Sequence, residues 1–225
     1  MEGVSESIKE LSKLPDVTIS VGHSDASVEL ATKAINDGSR FITHLFNAMP
    51  QLHHRDPGVI GLLGGKDTNV EDKLDRPFYG LIVDGVHVHP NAVRLAYDAH
   101  PNGCVLVTDA MPMMDPNLED GIHCWRDGRN LEKIGPKLYL QNTKTLAGSA
   151  SSLDQCVRNM KDFTSSLTYA NALNCASNHP AQLLKLKSKG NLNLDSDADL
   201  VLIDRITGHV KGTWILGKQV YKSIN

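Results

Sequence analysis

The sequence contains four side chains suited to metal-assisted hydrolysis, and each comes at or just after the end of a short apolar segment. They are His23, His44, His87 and Asp109. Neutral imidazole is a common ligand of zinc and iron in proteins. A carboxylate beside a divalent metal can act first as a general base and then as a general acid. The residue types therefore indicate metal-dependent hydrolysis, provided that the fold brings them together.

Three of these residues also have ordinary structural interpretations. His23 and His44 are 21 residues apart, and histidines at that spacing are more often unrelated than ligands of one ion. Asp109 could cap a helix or anchor a loop, because a carboxylate at the end of an apolar strand needs a partner. Spacing alone leaves both interpretations open.

Arg55 and His87 are the candidates for binding an anion. The Arg55 guanidinium could hold a phosphate through two parallel hydrogen bonds, although a solvated loop arginine paired with Asp56 is the simpler interpretation. His87 could donate a hydrogen bond to an anionic substrate group, or it could be a core histidine with satisfied hydrogen bonds. The sequence has no G-x-S-x-G motif, which argues against a serine hydrolase.

The elements that carry these residues alternate between strand and helix. Short, mostly apolar segments predict strands covered on both faces, and the segments between them show helical spacing. The predicted strands are Val17–Val21, Phe41–Thr43, Tyr79–Val83 and Cys104–Val107. This alternation predicts an α/β fold with parallel strands. Because no G-x-G-x-x-G or P-loop follows any strand, a (β/α)8 TIM-type barrel is favoured over an open doubly wound sheet, with its active site at the carboxyl ends of the strands.

Beyond Asp109 the sequence predicts a different organisation. Residues 111–135 are rich in Met, Pro, Asp and Gly, which indicates a long loop over the barrel mouth, and Lys137–Leu146 resembles a strand. Helical segments follow, and the strands near the end of the chain predict part of a small β-sandwich domain. We therefore expect an incomplete barrel in residues 1–188 and strands of the small domain in residues 189–225. A full barrel needs about 250 residues, so we expect its first strands to be missing.

Composition and charge exclude several other classes of function. The chain has 225 residues, a formal net charge of -3 and a pI near 6.3, so it lacks the positive surface that nucleic acids or anionic membranes attract. No apolar run approaches the length of a membrane-spanning helix, about 20 residues, and the N-terminus does not resemble a signal peptide. The four cysteines form no C-x-x-C pair, which is typical of reduced thiols. We expect a cytoplasmic protein without a nucleic-acid or membrane partner.

Taken together, six motifs resemble those of the N-acetylglucosamine-6-phosphate deacetylases, a family of the amidohydrolase superfamily, and they occur in the same order. The motifs are Gly22–Ser24, Thr43–Met49, His54–Gly58, Asp84–His87, Val107–Ala110 and Thr145–Ser149. The resemblance implies hydrolysis of the acetamide of N-acetyl-D-glucosamine 6-phosphate to D-glucosamine 6-phosphate and acetate. It also implies a divalent metal, and the sequence does not distinguish zinc, iron, cobalt and manganese.

The resemblance assigns a role to each matching residue. His23 and His44 would bind the metal, and Asp109 would act as base toward the attacking water and as acid toward the leaving amine. Arg55 and His87 would hold the 6-phosphate, with Arg55 acting across the interface of a homodimer. The sugar and the acetyl group would be contacted by Asn47, Ala48, Leu146, Ala147 and Gly148.

One departure from the family pattern limits this expectation. The family has a further metal ligand, a glutamate in an E-G-P-F-like motif, and this motif does not occur in the sequence. Catalytic zinc sites usually keep three protein ligands, so we expect weak metal binding and a truncated chain that is inactive alone. Two alternatives remain, namely an amidohydrolase with a different amide substrate and a non-catalytic partial barrel.

Overall fold

A computed structural model describes residues 3–64, 76–164 and 166–224. The helices in these ranges are α1 Val4–Ser12, α2 Val28–Asn36, α3 Pro90–Ala99, α4 Leu153–Phe163, α5 Tyr169–Ala176 and α6 Asn178–Leu183. The strands are β1 Ser20–Val21, β2 Phe41–Ile42, β3 Phe78–Ile82, β4 Cys104–Val107, β5 Gly121–Cys124, β6 Asn130–Ile134, β7 Lys137–Leu140, β8 Leu146–Ser149, β9 Leu200–Ile203, β10 Val210–Ile215 and β11 Lys218–Lys222. Short 3-10 helices occupy Gly58–Gly64, Pro101–Gly103 and Pro112–Met114.

The first four strands form one parallel sheet in the order β1-β2-β3-β4. Helices α2 and α3 lie in the connections between its strands, as in (β/α) units,. Tyr79, Leu81 and Val93 are fully buried in the main hydrophobic cluster, which joins this sheet to the helices. The predicted α/β barrel architecture is confirmed, with shorter first and second strands than expected.

Helix α2 shows how the sequence fixes one crossover. Ser27 is its N-cap, and the Ser27 hydroxyl accepts a hydrogen bond from the backbone N–H of Leu30 at 3.4 Å,. Ala31 and Ile35 are four positions apart, so they share the buried face of the helix,. The Ser24 hydroxyl accepts a hydrogen bond from the backbone N–H of Ala26, which closes the turn before the helix.

The expectation of a long loop in residues 111–135 is wrong. This stretch contains β5 and β6, which pair antiparallel with each other and continue into β7 and β8 as a four-stranded sheet. The turn at Asp127-Gly128 joins β5 to β6, with Gly128 at φ 84, where glycine meets no steric penalty,. Of the residues that indicated a loop, Gly128 lies in a hairpin turn, whereas Pro112 begins a 3-10 helix and Gly121 begins β5.

The single strand expected at Lys137–Leu146 is also divided in two. A turn with Asn142 at φ 62 separates β7 from β8, which run antiparallel. Asparagine is one of the few residues other than glycine that adopts this backbone conformation readily. Leu138 is completely buried beside Leu131 in a second, smaller hydrophobic cluster.

Strands β9, β10 and β11 form a separate antiparallel sheet of three strands. These are the strands that the sequence predicts near the end of the chain, and their pairing order is β11-β10-β9. The division of the chain between residues 188 and 189 stays a prediction.

Candidate active site

The first two strands bring His23 and His44 together. Val21 and Ile42 are register partners at the ends of β1 and β2, and each histidine comes two residues later. Because the strands are parallel and in register, both imidazoles lie at the same edge of the sheet. Their Nε2 atoms are 3.0 Å apart and their ring centroids 4.8 Å apart. His44 is buried, whereas His23 is exposed.

Close contact between the two chain segments requires a glycine at position 22. A Cβ on Gly22 would lie 2.7 Å from both the Cβ and the Oγ1 of Thr43. The Thr43 backbone N–H also donates to the Val21 carbonyl at 2.8 Å, which extends the parallel pairing beyond the last strand residues. The G-H motif therefore allows the first imidazole to lie against the second.

The segment after His44 has an unusual backbone. His44, Phe46 and Ala48 have φ angles of 24°, 74° and 52°, and such left-handed conformations are uncommon for residues other than glycine. The Leu45 N–H donates to the Gly80 carbonyl at 2.8 Å, so β3 anchors the segment. The side chain of Asn47 donates to the Leu45 carbonyl at 3.2 Å. The alternating backbone leaves Ala48 exposed at the carboxyl edge of the sheet.

Asp109 follows β4 at the same edge and adopts φ 50°. Its backbone carbonyl accepts a hydrogen bond from the Ser149 N–H at 2.9 Å, and the Ser149 hydroxyl donates to the Thr108 carbonyl at 2.5 Å. A Cβ on Gly148 would lie 2.9 Å from the Asp109 carbonyl oxygen. Leu146, Ala147 and Gly148 belong to β8, so this strand lies directly beside the exposed Asp109.

His87 is held by a buried carboxylate. Its Nδ1 lies 2.6 Å from the Oδ2 of Asp84, and the side chains of His87 and Asp84 are only 7% and 1% exposed. Burial by itself raises the pKa of Asp84, but the hydrogen bonds from His87 and from the Val86 N–H outweigh it and lower the pKa below the usual 3.8. Asp84 is therefore ionised at neutral pH, and the Nδ1 of His87 donates to it.

Arg55 lies in an exposed loop that is fixed to helix α2. The Asp56 carboxylate accepts hydrogen bonds from the backbone N–H groups of Val28 and Gly58, at 3.0 and 3.1 Å. Among the described residues, Arg55 contacts His54 through Nη1 at 3.0 Å and forms no ion pair with Asp56. Arg55 is a solvated loop arginine, as in the simpler interpretation, but the expected pairing with Asp56 is not formed among the described residues, because Asp56 binds the start of the helix.

The two histidines fit part of a metal site. Imidazole nitrogens that bind one zinc ion in tetrahedral geometry at about 2.0–2.1 Å lie about 3.3 Å from each other, close to the observed 3.0 Å. Within residues 3–64, 76–164 and 166–224, no group of three or more His, Cys, Asp or Glu side chains could hold a metal ion. The Nδ1 of His44 is buried without a hydrogen-bond partner in the same ranges. Metal-bound histidines usually donate from this second nitrogen.

Residues 2–220 match the amidohydrolase family. This chain belongs to that family. Two curated amidohydrolases named N-acetylglucosamine-6-phosphate deacetylase, from Rattus norvegicus and Homo sapiens, are each 44% identical to it over 92% of its length. The chain spans about half the length of these relatives, 49% in both cases.

Solved amidohydrolase structures share the fold. N-acetylglucosamine-6-phosphate deacetylase from Thermotoga maritima superposes with a TM-score of 0.84 at 32% identity, covering 98% of this chain and 57% of the other. A mutant of the Mycobacterium smegmatis enzyme in complex with N-acetyl-D-glucosamine-6-phosphate gives a TM-score of 0.82 at 29% identity, covering 97% and 55%. In the described part of this amidohydrolase, no helix is long and apolar enough to span a bilayer.

Sequence reasoning gave no role to Asp84. The carboxylate and imidazole lie three positions apart in Asp84–His87, a spacing that permits a direct hydrogen bond within one turn. The sequence signal for this pair is the position of Asp84 directly after an apolar strand, because a carboxylate is costly to bury there without a partner.

Proposed function

We propose that this chain takes part in the metal-dependent hydrolysis of the acetamide of N-acetyl-D-glucosamine 6-phosphate, which yields D-glucosamine 6-phosphate and acetate. The observation that carries the proposal is the 3.0 Å approach of the His23 and His44 Nε2 atoms at the carboxyl edge of a parallel sheet. The printed names of the deacetylase relatives support the choice of substrate.

His23 and His44 would hold the divalent metal through their Nε2 atoms. When bound, the metal supplies Lewis acidity, which polarises a carbonyl and makes water more acidic. Zinc, iron, cobalt and manganese all accept imidazole ligands, so the identity of the ion is left open. The remaining positions of its coordination shell are not supplied by described residues.

Asp109 performs the proton transfers in this proposal. Its carboxylate accepts a proton from the attacking water, and the same group then gives that proton to the nitrogen of the breaking amide bond. An amine is a poor leaving group unless it is protonated, so one residue has to serve first as base and then as acid. The exposed side chain of Asp109 is accessible to substrate, and the hydrogen bonds of Ser149 hold its backbone in place.

Five further groups bind the substrate. Asn47 and Ala48 contact the sugar, and the backbone of Leu146–Gly148 lines the acetyl side of the pocket. The 6-phosphate is held by Arg55 and His87. Two observations favour an anionic ligand there: the Arg55 side chain is exposed on an anchored loop, and the Nε2 of His87 has no hydrogen bond to a described residue.

The surroundings of the site complete the proposal. A homodimer would allow Arg55, on its exposed loop, to reach the active site of the partner subunit. The four cysteines are free thiols, and three of them are buried in the core, which suits a reducing compartment such as the cytoplasm.

The test is acetate release by the purified 225-residue chain, supplied with each candidate divalent metal. The sequence predicts a chain that is inactive alone, because one metal ligand of the family is missing. The proposed function instead predicts slow turnover of N-acetyl-D-glucosamine 6-phosphate in excess metal, which a chelator abolishes, and still slower turnover of N-acetyl-D-glucosamine. Arg55→Ala should raise the KM for the phosphorylated substrate at least about tenfold, as expected for loss of a charge-assisted pair of hydrogen bonds. Turnover of the sugar without phosphate should be unaffected by this change.

Two results would contradict the proposal. Equal turnover with and without the 6-phosphate would indicate a different amide substrate. Absence of both acetate release and metal binding would indicate a non-catalytic chain. Lys144→Ala is the matched control, because this residue is also an exposed cation but lies in the turn between β7 and β8.

A further inference from the structure

The carboxylate of Asp84 belongs to no step of the reaction proposed above, yet it is among the most buried charged groups described, with a side chain 1% exposed. We infer that Asp84 is a positioning residue, which fixes the ring of His87 so that its Nε2 is the nitrogen presented to the phosphate of the substrate. This inference rests on the proposed role of His87 in phosphate binding.

The two carboxylate oxygens of Asp84 have different hydrogen-bond partners. Oδ1 accepts from the backbone N–H groups of Val86 and His87, both at 2.8 Å, which closes the turn after β3. Oδ2 accepts from the Nδ1 of His87 at 2.6 Å. The turn occupies one oxygen, so the second oxygen is held at a fixed position against the imidazole.

This arrangement decides which ring nitrogen a ligand meets. The ionised Asp84 can only accept hydrogen bonds, so Nδ1 carries a proton and Nε2 is left for the ligand. A phosphate oxygen also accepts, and Nε2 can therefore bind it only when the ring is protonated on both nitrogens. The carboxylate behind the ring is the counter-charge of that imidazolium, as in other carboxylate–histidine pairs.

Residues of helix α4 also lie against the turn that carries His87. The Asn159 side chain in α4 donates to the Val83 carbonyl at 2.9 Å. A Cβ on Gly85, which has φ +77°, would lie 3.4 Å from the Phe163 ring. Val83 and Val88 on either side of the turn are almost completely buried. The His87 ring is thus attached to a segment that a hydrogen bond from α4 and two buried valines anchor.

The substitution Asp84→Asn tests whether Asp84 positions the His87 ring or only stabilises the turn. The asparagine keeps an oxygen for the two backbone N–H groups but places an NH2 group, a donor, opposite Nδ1. We expect the neutral ring to move its proton from Nδ1 to Nε2, visible as an exchange of the two ring 15N chemical shifts. That tautomer can still donate from Nε2, but the ring no longer has the Asp84 carboxylate as a counter-charge, so a neutral hydrogen bond replaces a charge-assisted one. The affinity for inorganic phosphate, and 1/KM for N-acetyl-D-glucosamine 6-phosphate, should therefore fall about tenfold or more, while kcat changes less than about twofold.

Asp204→Asn is the matched control. The Oδ1 of Asp204 accepts from the backbone N–H groups two and three residues later, at 2.9 and 2.8 Å, with no imidazole attached. It reproduces the turn of Asp84 outside the candidate site, so it should leave phosphate binding and the His87 signals unchanged.

The outcomes distinguish this inference from the proposed function. If phosphate shifts the Nε2 resonance of His87 equally in the wild type and in Asp84→Asn, with equal affinity, Asp84 does not position the ring and the inference is wrong while the phosphate role stands. If phosphate leaves the His87 resonances unchanged in the wild type, the phosphate role itself is wrong, and the inference fails with it. A ring tautomer that depends on Asp84, together with phosphate binding that weakens on substitution, supports both.

Discussion

The Nε2 atoms of His23 and His44 lie 3.0 Å apart, although the residues are separated by 21 positions and a complete helix. The in-register pairing of Val21 with Ile42 produces this contact, because the two histidines follow their strands by the same number of residues. A shift of one residue in either strand would turn one imidazole to the opposite face of the sheet. The site therefore depends directly on strand register.

Removing one imidazole should weaken metal binding. For His44→Ala we expect the affinity for Zn²⁺ to fall by more than about tenfold. Replacing a residue that only hydrogen-bonds to a metal ligand already lowers metal affinity by about 10–100-fold, so loss of a ligand itself should lower it at least as much. Isothermal titration calorimetry of the purified chain measures this directly. His123→Ala is the control, since His123 is in β5 and its Nε2 contacts the Glu119 carbonyl. Equal Zn²⁺ affinity in the wild type and His44→Ala would mean that His44 is not a ligand.

Replacing the carboxylate of Asp109 should remove activity but not stability. We expect Asp109→Asn to lower kcat by about 10²–10⁴, the usual contribution of a general acid–base. The Asp109 side chain is exposed and the backbone hydrogen bonds to Ser149 are retained, so the melting temperature should change little. Calorimetry and an acetate-release assay on the same preparations check both statements. A large loss of stability with unchanged kcat would assign Asp109 a structural role.

Gly148→Ala should disturb both folding and the site. The added Cβ would lie 2.7 Å from the Met111 Cγ and 2.9 Å from the Asp109 carbonyl oxygen, so β8 has to move away from Asp109. Gly128→Ala provides a matched control, because Gly128 has a similar φ, +84° against +74°, but no atom within 4 Å of the new Cβ.

Both glycine variants should lose about 1 kcal/mol or more from backbone strain, and only Gly148→Ala should also lower kcat. Urea denaturation and kinetics measure the two effects. The same kcat in both variants would show that contact with Asp109 is not required.

The buried His100 predicts a pH dependence of stability. Burial and the nearby Arg76 guanidinium lower the pKa of His100 from 6.5 to about 4. Between these values the unfolded chain takes up a proton that the folded chain does not, so stability is complete above pH 6.5 and falls as the pH falls toward 4,. The expected slope is at most about 1.4 kcal/mol per pH unit.

The contribution of His100 to the pH dependence of stability can be measured by substitution. Urea denaturation of His100→Gln at pH 7 and pH 5 should show a smaller loss of stability than the wild type, whatever the absolute stability of the variant. His123→Gln, which changes a half-buried histidine in β5, should keep the wild-type slope. If His100→Gln also keeps it, His100 is not the group responsible.

Much of the parallel sheet was predictable, because the apolar segments before His23, His44 and Asp109 are bounded by turn and helix signals. The prediction for β4 matches its observed bounds Cys104–Val107. The antiparallel sheet was missed because composition alone does not distinguish the Asp127-Gly128 hairpin turn from a long loop, and because the turn at Asn142 falls inside a segment that resembles one strand. A turn residue with φ > 0 between alternating residues is the signal for a hairpin.

The candidate site was predictable in residue type but not in geometry. Sequence alone does not give strand register, so the 3.0 Å contact of His23 with His44 needed coordinates. The role of Asp84 also required them, because the sequence shows neither its burial nor its bond to His87. Asp56 is adjacent to Arg55 in the sequence, which suggests an ion pair. In the structure its carboxylate accepts a hydrogen bond from the Val28 backbone N–H instead.

The left-handed backbone at the sheet edge also affects how this protein tolerates mutation. His23, His44, Phe46, Ala48 and Asp109 all have positive φ angles, and each costs about 1–3 kcal/mol. Net stabilities of domains are only about 5–15 kcal/mol. Selection for heat resistance alone would therefore favour glycine or asparagine at these positions first, and such replacements would make the backbone of the candidate site more flexible.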